Sequence, residues 1–222
     1  MSKLVISGYY GFGNAGDEAM LSAMVSALRA LDPTLSITVI SGNPADTCRR
    51  YPVASVHRLN LWGIAQALRR ADLLVSGGGS LLQDVTSGRS IFYYLGILQL
   101  ACLLGCPIML YAQGIGPIRS KLARSFMRHI GNRIVAGTVR DAGSLSELAG
   151  LGVATDKVSV TADPVLALPP VDLTAGRNIL DRLSMQGEAL HYCRSPILTI
   201  KGASSQMAEA KPEVGPGATI TD

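Results

Sequence analysis

The chain has 222 residues, 48% of them hydrophobic and 16% charged, with a formal net charge of +4. This is enough apolar side chain for a sizeable core and a length for one domain, or one and a fragment. The charge is mild and spread out, and no Lys/Arg run interleaves with aromatics, which argues against a nucleic-acid-binding protein. In chain order, "KLVIS" reads as a short strand and is followed by the glycine loop "GYYGFGNAGDEAML". Residues 17–31 form a helical pattern with Leu21, Met24, Val25, Leu28 and Leu31 on one face, closed by Pro33. "SITVIS" is a second strand and "GNPAD" a turn after it. A helix over residues 61–70 precedes the strand and glycine run "DLLVSGGGS".

Residues 91–112 carry no charge and are long enough to span a bilayer. The competing reading, which we favour, is a buried helix, a break at Gly105-Cys106-Pro107, and a buried strand in "PIMLYA". "RSKLARSFMRHIGNR" is an amphipathic basic helix with Leu122, Phe126 and Ile130 inward. "IVAGTVRD" is a strand, "AGSLSELAGLG" a helix and "KVSVTADP" a final strand. Beyond residue 183 periodicity is lost, and residues 184–222 read as a weakly ordered tail.

Strands alternating with helices give an α/β fold: a doubly wound parallel sheet of the Rossmann-like kind. Such sheets carry their sites at the carboxyl ends of the strands. The loops "GYYGFGNAGDE", "SGGGSLLQD", "AQGIGP", "VRDAGS" and "TADP" all follow strands and are expected on one edge, around a shared cleft.

Gly11 to Gly16 is formally a G-x-G-x-x-G, but a dinucleotide site also needs a carboxylate at the end of the second strand. That strand ends in Ser41 and Asn43, with Asp46 only after Pro44. Asp17 and Glu18 also sit at the helix start, where they compete with a pyrophosphate for the free N–H groups and repel it. Asp17 reads either as a first-turn acid or as a catalytic carboxylate at the cleft edge, and Asn14 as a group that orients a substrate hydroxyl. Gly77, Gly78 and Gly79 allow backbone N–H groups to converge on an anion, and Ser80 adds a hydroxyl. Asp84 is a cap or a polar cleft residue. Gln113 is the polar group at a strand tip. Arg140 is placed to grip a carboxylate or phosphate, with Asp141 as its local partner or as a helix cap. His57, His129 and His191 read as surface or packing residues. Cys48, Cys102, Cys106 and Cys193 form no C-x-x-C; Cys102 and Cys106 sit in apolar "LACLLGCPIML" as buried thiols, in keeping with a reducing compartment. No metal-ligand cluster and no signal peptide is visible.

The ordered set "GYYGFGNAGDEAML", "SGGGSLLQD", "YAQGIGP" and "VRDAGS" resembles the polysaccharide pyruvyl transferase family, CsaB type, over residues 3–183. The resemblance implies the N-terminal domain of a glycosyltransferase-B-like pair of Rossmann-like domains. It implies transfer of a pyruvyl group from phosphoenolpyruvate to a cell-wall polysaccharide sugar, forming the pyruvate ketal by which S-layer proteins are anchored. Arg140 matches a family arginine that contacts the donor. Phosphoenolpyruvate is a co-substrate and no further cofactor is implied.

The family's catalytic histidine and a further basic residue belong to a second domain, which the sequence is expected to lack; His191 does not take that role. Truncation or a frameshift would explain the change after residue 183 and leave this chain weakly active or inactive alone. A lipid-linked or polymeric saccharide acceptor, a cytoplasmic location, peripheral contact with the inner membrane face and homo-oligomerisation are all compatible with this reading. The alternatives are a nucleotide-sugar glycosyltransferase on the same architecture, and a non-enzymatic remnant or interaction domain.

Overall fold

The computed structural model describes residues 1–84 and 88–168, with Thr174 and Asn178. Met1–Leu168 forms one compact unit. The expected tail, with His191 and Cys193, lies outside the described residues.

The elements run β1 (Lys3–Ser7), α1 (Ala15–Leu31), β2 (Ser36–Ser41), α2 (Pro44–Arg50), β3 (Ala54–His57), α3 (Leu61–Arg69) and β4 (Leu73–Gly77). They continue with α4 (Gly88–Leu103), β5 (Ile108–Gln113), α5 (Lys121–Gly131), β6 (Ala136–Val139), α6 (Ala142–Gly150) and β7 (Val158–Val160), then a short 3₁₀ turn at Pro164–Ala167. The seven strands form one sheet in the order β3-β2-β1-β4-β5-β6-β7. Every pairing is parallel. The order reverses between β1 and β4, the switch point at which such sheets open a crevice.

Both faces of the sheet are covered, so its strands are almost continuously apolar. Leu4 and Ile6 of β1 pack with Leu21, Met24 and Val25 of α1. Val5, between them, faces the opposite layer with Ile64 of α3, Leu98 of α4 and Met127 of α5. The uncharged stretch divides as expected: α4 ends at Leu103, Gly105 adopts φ +71° and β5 follows. Among the described residues no helix is long and apolar enough to cross a membrane.

Four local expectations need correction. The turn "GNPAD" is the start of a helix: Asn43 caps α2 through its side chain, and Pro44 takes a first-turn position where no N–H is needed. A short strand, β3, follows it, unannounced by its half-exposed alternation. Leu31 is exposed at the end of α1 rather than inward, because the chain turns away at Asp32. In α5 the buried face is Ala123, Met127, Ile130 and Gly131, while Leu122 and Phe126 are exposed. The face is rotated by about one residue because small Ala123 and Gly131 allow the helix to lie close to its neighbours. Of the cysteines, Cys106 is buried, Cys102 half-buried and Cys48 exposed, all free. His57 and His129 are exposed, as expected.

Candidate functional site

The loops singled out in the sequence follow β1, β4, β5, β6 and β7, so they share the carboxyl edge of the sheet. The loop after β1 is closed on itself. Asn14 caps α1, its Oδ1 accepting from the N–H of Gly16 at 3.0 Å and of Asp17 at 3.4 Å. Glu18 Oε1 accepts from the Gly11 N–H at 2.8 Å. The Tyr51 hydroxyl reaches the Glu18 carbonyl at 3.1 Å and Oε2 at 3.2 Å. Burial, then the Glu18 charge, pushes the Tyr51 hydroxyl up to about 12. The N–H groups that would hold a pyrophosphate are thus taken by the loop's own side chains. Asn14 therefore acts on the helix through its oxygen, and the residue is exposed. Gly11, at φ +78°, has no room for a side chain, since a Cβ there would lie 2.6 Å from the Asn43 nitrogen.

Asp17 points the other way. It is half-buried, and its Oδ1 lies 3.2 Å from where a Cβ on Gly79 would stand. It is the carboxylate at the β1/β4 switch point. Desolvation, then the neighbouring Glu18 charge, raises its pKa above the ordinary carboxylate value.

The loop after β4 is held from below. The Tyr10 hydroxyl, itself buried and shifted strongly upward by desolvation, donates to the Gly77 carbonyl at 3.1 Å. Gly77 and Gly78 are buried against Met24 and Met20. The Gln113 amide donates to the Gly79 carbonyl at 2.8 Å and its oxygen accepts from Ser76 Oγ at 3.3 Å. Gln113 has zero exposure, so this strand-tip amide braces the glycine loop from inside the sheet edge instead of facing the cleft. Asp84 closes the loop: its Oδ2 accepts from the N–H groups of Arg119 at 2.7 Å and Ser120 at 2.8 Å, just before α5.

Arg140 stands at the tip of β6. Its Nη2 donates to Ser80 Oγ at 2.7 Å, and its Nε lies 3.5 Å from Asp141 Oδ2. The guanidinium occupies space that only glycine leaves at position 114, where a Cβ would come within 2.8 Å of Arg140 Cζ. Asp141 caps α6, accepting from the Ser144 N–H at 2.7 Å. That hydrogen bond, ahead of the Arg140 charge, holds its carboxyl below the usual range. Ser80, Gly114, Gly116, Arg140, Asp141 and Glu147 surround a cavity of about 310 Å³. Its floor is fixed by Ser144 Oγ, which accepts from the Ile115 N–H at 3.0 Å.

Of the residues expected from sequence, Gly79, Ser80, Arg140, Asp141 and Asp17 therefore meet around one loop, with Asp17 at its β1 side and Arg140 at its β6 side. Gln113 and Asn14 support that arrangement, and Asp84 anchors it. Glu18 competes for a loop N–H as expected, at Gly11, whereas Tyr51, Ser144 and Glu147 were not anticipated. Ser144 and Glu147 follow Asp141 at helical spacing, a signal the sequence carried; the Tyr51–Glu18 contact crosses 33 positions and left none. A second unanticipated group is aromatic. Tyr9 stacks on Phe12 at 4.2 Å, and Arg58 lies over the rings of Phe12 and Tyr93 at 5.1 and 4.6 Å.

An all-parallel sheet of this order, with polar side chains gathered beyond its carboxyl edge, defines a Rossmann-like α/β domain with its crevice at the strand reversal. The sequence profile of the polysaccharide pyruvyl transferase family matches residues 14–202, continuing past residue 183. The chain belongs to that family. No curated protein matches it. Among solved structures it is similar to Anabaena Alr3699/HepE in complex with UDP and glucose, at 11% identity and a TM-score of 0.54, over 83% of this chain and 50% of that one. It is also similar to S. aureus MnaA with UDP, at 16% identity and a TM-score of 0.52, again over 83% and 50%. These likenesses describe the fold. The chain spans about half the length of the solved structures it matches.

Proposed function

We propose that the Arg140 cavity takes phosphoenolpyruvate and that the protein's reaction is transfer of its pyruvyl group to a polysaccharide sugar as a ketal. Family membership supports the reaction class, and one observation carries the site: a cation fixed by Ser80 and Asp141 over a glycine-lined cavity. The donor carries a carboxylate and a phosphate, which an arginine fork binds with two parallel hydrogen bonds. In the reaction, protonation of the donor's methylene carbon places positive character on the adjacent carbon. A sugar hydroxyl attacks there, the phosphate leaves with the C–O bonding pair, and a second hydroxyl closes the ketal. Asp17, across the glycine loop, is assigned as the base that accepts a hydroxyl proton; its raised pKa suits it to hold one. Asn14 orients the acceptor. The donor is a cytosolic metabolite, so the reaction belongs in the cytoplasm.

The test is thermal shift with phosphoenolpyruvate and, separately, with nucleotide sugars. Phosphoenolpyruvate should raise Tm, nucleotide sugars should not, and Arg140→Ala should weaken donor binding about 10- to 100-fold, the worth of a charge-assisted hydrogen bond. Stabilisation by nucleotide sugars alone, or an Arg140→Ala protein that binds the donor as the parent does, refutes the assignment.

A further inference from the structure

Charge is not spread evenly along this chain, contrary to the expectation from its net value. From residue 85 to residue 140 there is no Asp or Glu, while Arg119, Lys121, Arg124, Arg128 and Arg133 crowd into fifteen positions. The fold concentrates that asymmetry on one flank. α4 and α5 pack side by side over the same layer of the core.

The outward face of α5 is the unusual part. Leu122, Phe126 and His129 follow at i, i+4 and i+7 and are all exposed, Leu122 at 58%. Lys121 and Arg128 border this stripe on the exposed surface, and Arg119 and Arg133 stand at its two ends, also exposed. Arg124 is turned inward, donating to the carbonyls of Ile118 and Gly150, and is not part of it. Arg133 approaches His129 and lies beside the Cys102 thiol at the end of α4. Leu103, next to Cys102 in the chain, and Val135, two residues past Arg133, are also exposed. Leu122 and Phe126, one helical turn apart, place two exposed apolar side chains side by side on this face. Among the described residues the side chains that border the two apolar ones along the helix are cations, with the Asp84 carboxylate tied to the backbone at its start; this pattern matches a surface that is anionic at its headgroups and apolar beneath.

We propose that the outward face of α5 docks on an anionic lipid surface, with Leu122 and Phe126 entering the headgroup boundary and Lys121, Arg128 and Arg133 contacting lipid phosphates. The occupant is chosen by charge complementarity and by the two exposed apolar side chains together. The arrangement has a functional sense that rests on the proposed reaction. α5 begins just after Pro117, which lines the Arg140 cavity. Docking would hold that cavity close to an acceptor carried on a membrane lipid.

The experiment is co-sedimentation of the full chain with vesicles of phosphatidylcholine alone and of phosphatidylcholine with 30% phosphatidylglycerol as a stated test composition. The parent should bind the anionic vesicles and lose binding as NaCl is raised. Arg128→Glu with Arg133→Glu should reduce partitioning by about tenfold or more, since each cation near such a surface contributes roughly a fivefold factor. Leu122→Ser with Phe126→Ser should also reduce it about tenfold, with the cations intact. Arg128→Lys with Arg133→Lys should bind as the parent does, and unchanged melting curves check that each variant is folded. Heparin binding that is indifferent to Leu122 and Phe126, without vesicle binding, would make the face a site for soluble polyanions and overturn the proposal. Equal binding to neutral and anionic vesicles, or none to either, would also overturn it. A failure of donor binding at Arg140 would leave these results untouched, so the two readings fall separately.

Discussion

Asp17 and Glu18 are adjacent carboxylates with opposite fates. Glu18 is spent on the Gly11 N–H and the Tyr51 hydroxyl, whereas Asp17 faces the Gly79 loop and is partly desolvated. With its native pKa above the unfolded value of about 3.9, the folded protein retains a proton that the unfolded chain has lost. Stability therefore falls as pH rises through the interval from that unfolded value to the raised one, and the loss is complete above it. Asp17→Asn should melt above the parent at neutral pH, the difference closing as pH is taken below about 3.9. The same variant should lose turnover by about 10²- to 10⁴-fold, read as acceptor-dependent phosphate release. A variant that melts lower at neutral pH and keeps its turnover would remove Asp17 from the mechanism. The sequence announced a carboxylate at this edge. It pointed to Asp17 as the cleft carboxylate but not to what would hold Glu18, because Tyr51 stands 33 positions away.

Among the elements, β5 shows how geometry overrides pattern. A regular strand would send Ala112 and Gln113 to opposite faces. Instead the register with β6 shifts between Leu110 and Gln113, Ala112 adopts φ +45°, and its N–H is taken by Thr138 Oγ1 at 2.7 Å. Both residues end up buried, and Gln113 turns under the β4 loop. Read as sequence, a glutamine at a strand tip is a ligand contact; the bulge makes it a brace. Gln113→Leu removes two buried hydrogen bonds and should cost about 1–3 kcal/mol in urea unfolding. It should also weaken phosphoenolpyruvate binding although Arg140 is unchanged, because Ser80 follows the loosened Gly79. Full stability with full affinity would mean the brace is dispensable. α5 teaches a related lesson: helical period was legible, but its phase was set by where Ala123 and Gly131 allow close packing.

For the molecule as a whole, the alternation of apolar runs and amphipathic helices was sufficient to give a parallel sheet and the edge on which its loops gather. Topology then did what no single motif could. By placing β4 between β1 and β5, it put the "SGGGS" loop between the "GDE" loop and the "VRD" loop. Residues from positions 17, 79, 80 and 140 become neighbours through strand order, not spacing. The elements that escaped notice, α2 and β3, lie at the sheet's far edge, where burial is partial and the hydrophobic signal correspondingly weak.

The closed loop after β1 has one more implication. Gly11 and Gly13 take positive φ, a geometry from which anion-binding backbone nests can be built, and what occupies the Gly11 N–H is the protein's own Glu18 carboxylate. A tethered carboxylate holds that N–H at an effective concentration no free ion reaches. Removing it by Glu18→Ala frees the Gly11 N–H, while the Tyr51 hydroxyl keeps its hydrogen bond to the backbone carbonyl at position 18. That variant should acquire weak affinity for inorganic phosphate, seen as a Gly11 amide resonance that shifts on titration while that of the parent stays still. Glu18 would then be the position that keeps the Gly11 N–H closed to anions, beside Asn14, which holds those of Gly16 and Asp17.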